Sequence, residues 1–253
     1  MICGYAGNTL ALKADQVNRG LSVELLVGDA AVAQPVPLRF RVCQKPGEMP
    51  VDDLQIEHEK LMHVIAIRED LGDFLHVHPR RTAPGLWEIV QAFTNAGRYQ
   101  IWSDIKHRGT VYSFAHPRLT VGGEAQVVAR GPVPRFEDEA SGYHLTLKPA
   151  QLPLVAGQTN FFEVVVRDGF GNQISTDFFL GALMHLVIVK DDLSICLHAH
   201  AEDHVKSGRP ISFKQFFPQP GRYKIFAQFR PQKTKLPPDA AILAEFWLIV
   251  EAG

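Results

Sequence analysis

LMHVIAIREDLGDFLHVHP (residues 61–79) and LMHLVIVKDDLSICLHAHA (183–201) are one motif written twice, aligned without a gap at an offset of 122 residues. Met62 falls on Met184, His63 on His185, His76 on His198 and His78 on His200. Self-similarity at a fixed period marks a duplicated structural unit. The match extends outward: PLRFRV (37–42) lies over TNFFEV (159–164) in the same register, and AGRYQIWSDI (96–105) over PGRYKIFAQF (220–229) after two extra residues. The extra residues fall between strands, where a longer loop costs little. Two modules follow, 18–124 and 140–252, joined by a connector at 125–139; the stretch GGEAQVVARGPVPRFEDEASG (122–142) around it, with its glycines, prolines and acidic run (Glu137, Asp138, Glu139), reads as extended, solvated chain.

The pattern inside each copy is short apolar or alternating runs broken by Gly, Pro, Asp and Asn, with almost no helical period, which predicts an all-β chain. In copy two, strands are expected near 143–147, 160–167, 184–190, 194–200, 211–216, 222–229 and 244–250. That number and spacing suit two tandem immunoglobulin- or cupredoxin-like β-sandwich modules. Tyr99 and Tyr223, in AGRY and PGRY, stand where such a sandwich places the tyrosine that bonds back to its own chain, the alternative being an ordinary core tyrosine.

Apolar residues make up 46% of the 253 and charged residues 21%, enough for a substantial core and against wholesale disorder. A net charge of -1 without a basic cluster argues against nucleic acid as a partner. No apolar run approaches the about 18 residues of a membrane span. The opening stretch MICGYAGNTLALKADQVNRG has no basic-then-apolar export signal, which leaves the compartment open. Cys3, Cys43 and Cys196 are too few and too scattered for a disulfide framework.

The chemistry resides in the histidines. His76 and His78 are two apart on a strand, so both point to one face, roughly 6–7 Å apart. A turn centred near Asp70 puts His63 opposite His78 on that face, and the same holds for His185, His198 and His200. Three convergent imidazoles suit copper or zinc. Met62 and Met184 are candidate soft ligands for cuprous ion, though neighbours on a strand point to opposite faces. Cys196, in the slot of Phe74, is a candidate thiolate ligand, and His58 a candidate extra ligand in copy one, where copy two has Leu180. His107, His116 and His204 have no counterpart in the other copy. The competing expectation is that the histidines bond to backbone carbonyls and fix the hairpin. The chain has no G-x-S-x-G elbow, phosphate loop, H-E-x-x-H or dinucleotide fingerprint. Metal binding for carriage, buffering or sensing is therefore expected ahead of enzyme activity, with a non-catalytic immunoglobulin-like interaction module and a three-His metal-dependent enzyme as alternatives.

Glu57, His58, Glu59, Lys60, Met62 and His63, then Asp70 and Leu71, then Phe74, His76, His78 and Pro79, then Gly97, Arg98 and Tyr99 resemble a family of poorly characterised bacterial exported or membrane-anchored proteins that often accompany heavy-metal or copper handling. Copy two departs from that pattern at Phe179, Leu180, Gly181 and Ala182, which stand in place of Glu57, His58, Glu59 and Lys60, and at Ala201, which follows His200. The resemblance covers nearly both modules. It implies an extracytoplasmic, periplasmic setting, with a membrane or periplasmic metal-handling protein as partner.

Overall fold

The computed structural model describes residues 2–5, 20–124, 131, 133–202 and 208–253. The expected start of module 1 at 18–19, residues 125–130 and 132 of the connector, and Asp203 and His204 lie outside the described residues. The chain is all-β and divides into two compact units whose main bodies are Leu12–Arg130 and Gly131–Gly253.

In module 1, one sheet has the spatial order Leu21–Leu26, Pro35–Gln44, Leu86–Ala92, Arg80–Ala83, each neighbour antiparallel. The second sheet runs Ala30–Ala31, Leu119–Gly122, Gly97–His107, Met62–Arg68, Phe74–Val77. Thr110–Ala115 folds back along the far half of Gly97–His107. Alternation builds the core between the sheets: Leu38, Phe40 and Val42 of one meet Met62, Val64, Ala66, Tyr99 and Ile101 of the other. Each of the larger aliphatic and phenyl side chains among them contributes about 1.5–3 kcal/mol on leaving water.

Module 2 repeats the plan. One sheet is Glu137–Ala140, Tyr143–Pro149, Thr159–Arg167 and Ile211–Phe216. The other carries Ile195–His200, His185–Lys190, Gly221–Pro231 and Ile242–Glu251, with Leu154–Val155 parallel to the end of the last strand. All seven strands expected in this copy are present, most with ends shifted by a residue or two. The acidic run is a correction: Glu137–Ala140 is the first strand of the module, not solvated connector. Ser141 and Gly142, both at positive φ, turn it into a two-residue hairpin with Tyr143–Pro149. Phe136 packs against the core just ahead of it, and its carboxylates decorate a sheet edge, where charge discourages further pairing.

Two devices recur at matching positions. Between the two histidine strands, Leu71 and Leu193 take positive φ (64° and 60°) and are buried, while Asp70 and Asp192 accept the backbone N–H of Gly72 and Ser194 at 2.9 Å. At the other end, Tyr99 Oη reaches the carbonyl of Asn95 (2.8 Å) and Tyr223 Oη that of Gln219 (2.7 Å), each four residues upstream. This is the tyrosine corner of immunoglobulin-like sandwiches. The adjoining Gly97 and Gly221 have φ of 137° and 142°, and a Cβ there would meet the stems of Arg68 (3.0 Å) and Lys190 (2.8 Å). Burial pushes both tyrosine hydroxyls well above their ordinary pKa, so both remain donors. The single Tyr99 Oη proton is shared between that carbonyl and the Asp73 carboxylate, a charged acceptor, whereas the residue corresponding to Asp73 in module 2 is Ile195. Tyr99→Phe should therefore cost about 2 kcal/mol and Tyr223→Phe about 1 kcal/mol in guanidinium denaturation. Equal losses would mean that the Asp73 bond adds no stability.

Candidate metal centre

The Met62–Arg68 strand is buried along its whole length, and so is nearly all of His185–Lys190. One face of each lies in the sandwich core. The opposite face carries rows set by strand register. Ile65 pairs His76 and Val64 pairs Val77, so the next position brings His78 opposite His63, with Asp104 opposite His63 on its other side. In module 2, His185 sits between His200 and Gln228 in one row, and Val187 between His198 and Phe226 in the next.

Each module thus collects three imidazoles: His63, His76 and His78, and His185, His198 and His200, each trio offering ligand nitrogens that all lie within 4.8 Å of one another. His63 Nδ1 and His76 Nε2 are 3.1 Å apart, and His185 Nδ1 and His198 Nε2 3.5 Å. Two nitrogens bound tetrahedrally at about 2.0–2.1 Å from one ion stand about 3.3 Å apart. The widest pair in either trio would have to close by at most about 1.5 Å, within reach of side-chain rotation. The rings are mutually packed, His78 lying edge-on to His63 at 4.8 Å and His200 edge-on to His185 at 4.4 Å.

The tautomer of the central ring is set from behind. His63 Nε2 is 2.8 Å from the Glu57 carbonyl, and His185 Nε2 is 2.7 Å from that of Phe179 and 3.1 Å from that of Leu180. A carbonyl only accepts, so Nε2 carries the proton, and in the neutral ring Nδ1 keeps its lone pair toward the partner histidines. Burial holds His63 down at about 4, against a smaller opposing pull from its bond to Glu57, so that ring is neutral near pH 7. Metal-ligating histidines are oriented by this kind of outer bond.

The carbonyls come from a miniature hairpin that sequence reasoning missed. Glu57 and Lys60 exchange backbone bonds of 2.8 and 3.1 Å around His58 and Glu59, both at positive φ. Phe179 and Ala182 do the same around Leu180 and Gly181. The clearest sequence signal was Gly181, with a weaker one in His58, since histidine takes positive φ more readily than most non-glycine residues.

His58 is thereby placed in the turn, with Nε2 3.3 Å from the Glu57 carboxylate, and not among the three clustered nitrogens. Met62 and Met184 belong to the sandwich cores, on the face away from the trios, as strand alternation requires. Cys196 is buried on the histidine face but pairs with Val189, one row beyond His198, and is not part of the cluster. His107 contacts Asp53 at 3.1 Å, and His116 is buried against Ser103 Oγ at 2.8 Å, beside Phe40.

Together these features define a tandem immunoglobulin-like β-sandwich protein with a three-histidine cluster that could hold a metal ion in each module. The chain belongs to the family described as a domain of unknown function, DUF8832, whose model matches residues 15–122 and again 138–248. No curated protein matches it. Among solved structures it is similar to the Escherichia coli adhesin FdeC (12% identity, TM-score 0.25, 93% of this chain and 65% of that one). It is also similar to Escherichia coli alpha-2-macroglobulin (9%, TM-score 0.31, 93% and 22%) and to a chimeric titin Z1Z2 tandem (13%, TM-score 0.23, 92% and 99%). The chain spans less than two thirds of the first two structures. Among the described residues, no helix is long and apolar enough to cross a membrane.

In metal-free protein, His63→Ala should lower stability by about 1–3 kcal/mol, because it empties a buried site and removes the bond to Glu57. A loss under about 0.5 kcal/mol in guanidinium denaturation would show that the ring does not hold the turn. Burial likewise holds His116 at about 4, below the ordinary 6.5. Between those values the unfolded chain takes up a proton that the folded chain does not. Stability therefore falls as pH drops from 6.5 toward 4, by up to about 1.4 kcal/mol per pH unit for this one group. His116→Gln should make that pH dependence shallower, as read by denaturation at stepped pH, and an unchanged slope would rule out a neutral buried His116.

Proposed function

We propose that this protein binds a transition-metal ion at each three-histidine cluster and serves in metal carriage, buffering or sensing, with copper as the first candidate and zinc as the second. The observation that carries this reading is the repeated pairing of Nδ1 and Nε2 at 3.1 and 3.5 Å, with the central tautomer fixed by a turn carbonyl in both modules. Copper is preferred on the resemblance to proteins that accompany copper handling, which also supports an extracytoplasmic setting and a membrane or periplasmic metal-handling partner. Holding is preferred to catalysis because His185 and His198 are fully buried, which restricts the approach of a substrate to an ion held there.

The hairpin-stabilising reading has its own support in the bonds from His63 and His185 to turn carbonyls. Calorimetric titration of metal-stripped protein with Cu(II) and with Zn(II), alongside a metal count on the protein as purified, separates the two. Metal binding predicts two saturable equivalents of about micromolar affinity or better. His76→Ala with His78→Ala should remove one equivalent, and His198→Ala with His200→Ala the other. No saturable uptake by the unaltered protein would leave the histidines as hairpin braces.

A further inference from the structure

We propose that the two trios are tuned to ions of different charge: the module 1 trio to a divalent ion of the zinc class, the module 2 trio to monovalent cuprous ion. This rests on the metal-binding reading above and adds selectivity to it.

The trios are matched ring for ring, but their surroundings are not. In module 1 the row runs Ser113, Asp104, His63, His78, with Asp104 buried at 1% exposure and its carboxylate accepting the Ser113 hydroxyl. In module 2 the residue opposite His185 is the amide Gln228. The turn that orients the central ring differs in the same sense. Glu57 carries a carboxylate, bonded to Lys106 Nζ at 2.6 Å, where module 2 has Phe179. The Lys106 position is taken by Arg230, whose guanidinium bonds the Ala240 carbonyl at 2.6 Å and that of Pro237. Elsewhere in module 2 Glu245 pairs with Lys224 at 2.8 Å and with Arg135 at 3.6 Å, so its carboxylate is matched by neighbouring cations. Module 1 therefore has a buried carboxyl group directly across the strand pair from its central ring, and module 2 has an amide there.

The cost of taking an ion out of water grows with the square of its charge, so a buried site of neutral imidazoles favours the lower charge. Two of the three module 2 rings are fully buried, against one of three in module 1, where His76 and His78 are half-buried. A carboxylate one strand away attracts a divalent ion twice as strongly as a monovalent one at the same distance. Both differences point the same way. Imidazole nitrogen suits both zinc and copper, so charge decides between them.

The test uses the full chain, stripped of metal, with one trio silenced at a time. His198→Ala with His200→Ala reports module 1, and His76→Ala with His78→Ala reports module 2. Each is titrated with Zn(II), and anaerobically with Cu(I) held by a reductant, in competition with chromogenic chelators. Module 1 alone should bind Zn(II) at least ~tenfold more tightly than module 2 alone, and the order should reverse for Cu(I). Asp104→Asn should lose ~tenfold in Zn(II) affinity and leave Cu(I) within about threefold, while Gln228→Glu should raise Zn(II) affinity in module 2. Circular dichroism checks folding, and the isosteric Asp104→Asn result stands alone if Gln228→Glu does not fold. Equal Zn(II)-to-Cu(I) preference in both modules, or an Asp104→Asn loss shared equally by both metals, overturns the proposal while leaving metal binding intact. Uptake of neither metal by the unaltered protein overturns both readings.

Discussion

A β-strand buried on both faces must sort its side chains by parity alone, and the strand that begins Met-His in each module is buried in this way. Even positions of Met62–Arg68 go to the sandwich core, which fixes Met62, Val64 and Ala66 against the opposing sheet. Odd positions go to the other face, which fixes His63, Ile65 and Ile67. From that sorting the rest follows. The thioether of Met62 cannot join a site built on His63, and the register with Phe74–Val77 brings His76 and His78 to the face that already holds His63. A one-residue slip of this strand would send His63 into the apolar core and away from His76 and His78, so the packing of Leu38, Phe40 and Val42 against this strand also secures the cluster.

Parity delivers the rings to one face but leaves their rotation undetermined. The bond from His63 Nε2 to the Glu57 carbonyl, and from His185 Nε2 to that of Phe179, supplies the missing constraint. It depends on a turn with two successive residues at positive φ, at 58 and 59 in one copy and at 180 and 181 in the other. His58, Glu59 and Leu180 are held there at a backbone cost that glycine would avoid. The same placement in both copies, with unrelated side chains, indicates that backbone geometry and not side-chain identity is what the turn contributes.

Much of this was legible in the sequence because it depends on period and register. The duplication, the all-β architecture, the seven strands of the second copy and the facing of His63 toward His78 all follow from a period of two and a turn at Asp70. The misreadings have a common cause. His58 reads as a candidate ligand because it is an imidazole close before His63, yet what its turn contributes to the site is the Glu57 carbonyl, which no side chain reports. Glu137–Ala140 looked like solvated chain because acidic residues are poor strand formers, yet an edge strand held by a tight hairpin tolerates them. Cys196 looked close because it shares the face of His198 and His200, yet sharing a face says nothing of distance along the strand. The contrast of Asp104 with Gln228 was visible as an alignment difference, but only the register placed it directly opposite the central ring.

The structural and metal-binding roles of these histidines draw on the same bonds without excluding each other. With the central Nδ1 unprotonated, His76 can donate Nε2–H to His63 across 3.1 Å in the metal-free state, so the cluster holds together without an ion. An ion that replaces this bond meets nitrogens already at nearly the right separation, and little side-chain freedom remains to be lost. Its binding free energy then adds to the stability of the folded state by mass action. Brace and binding site are in this sense one arrangement, and the brace is what makes the site preorganised.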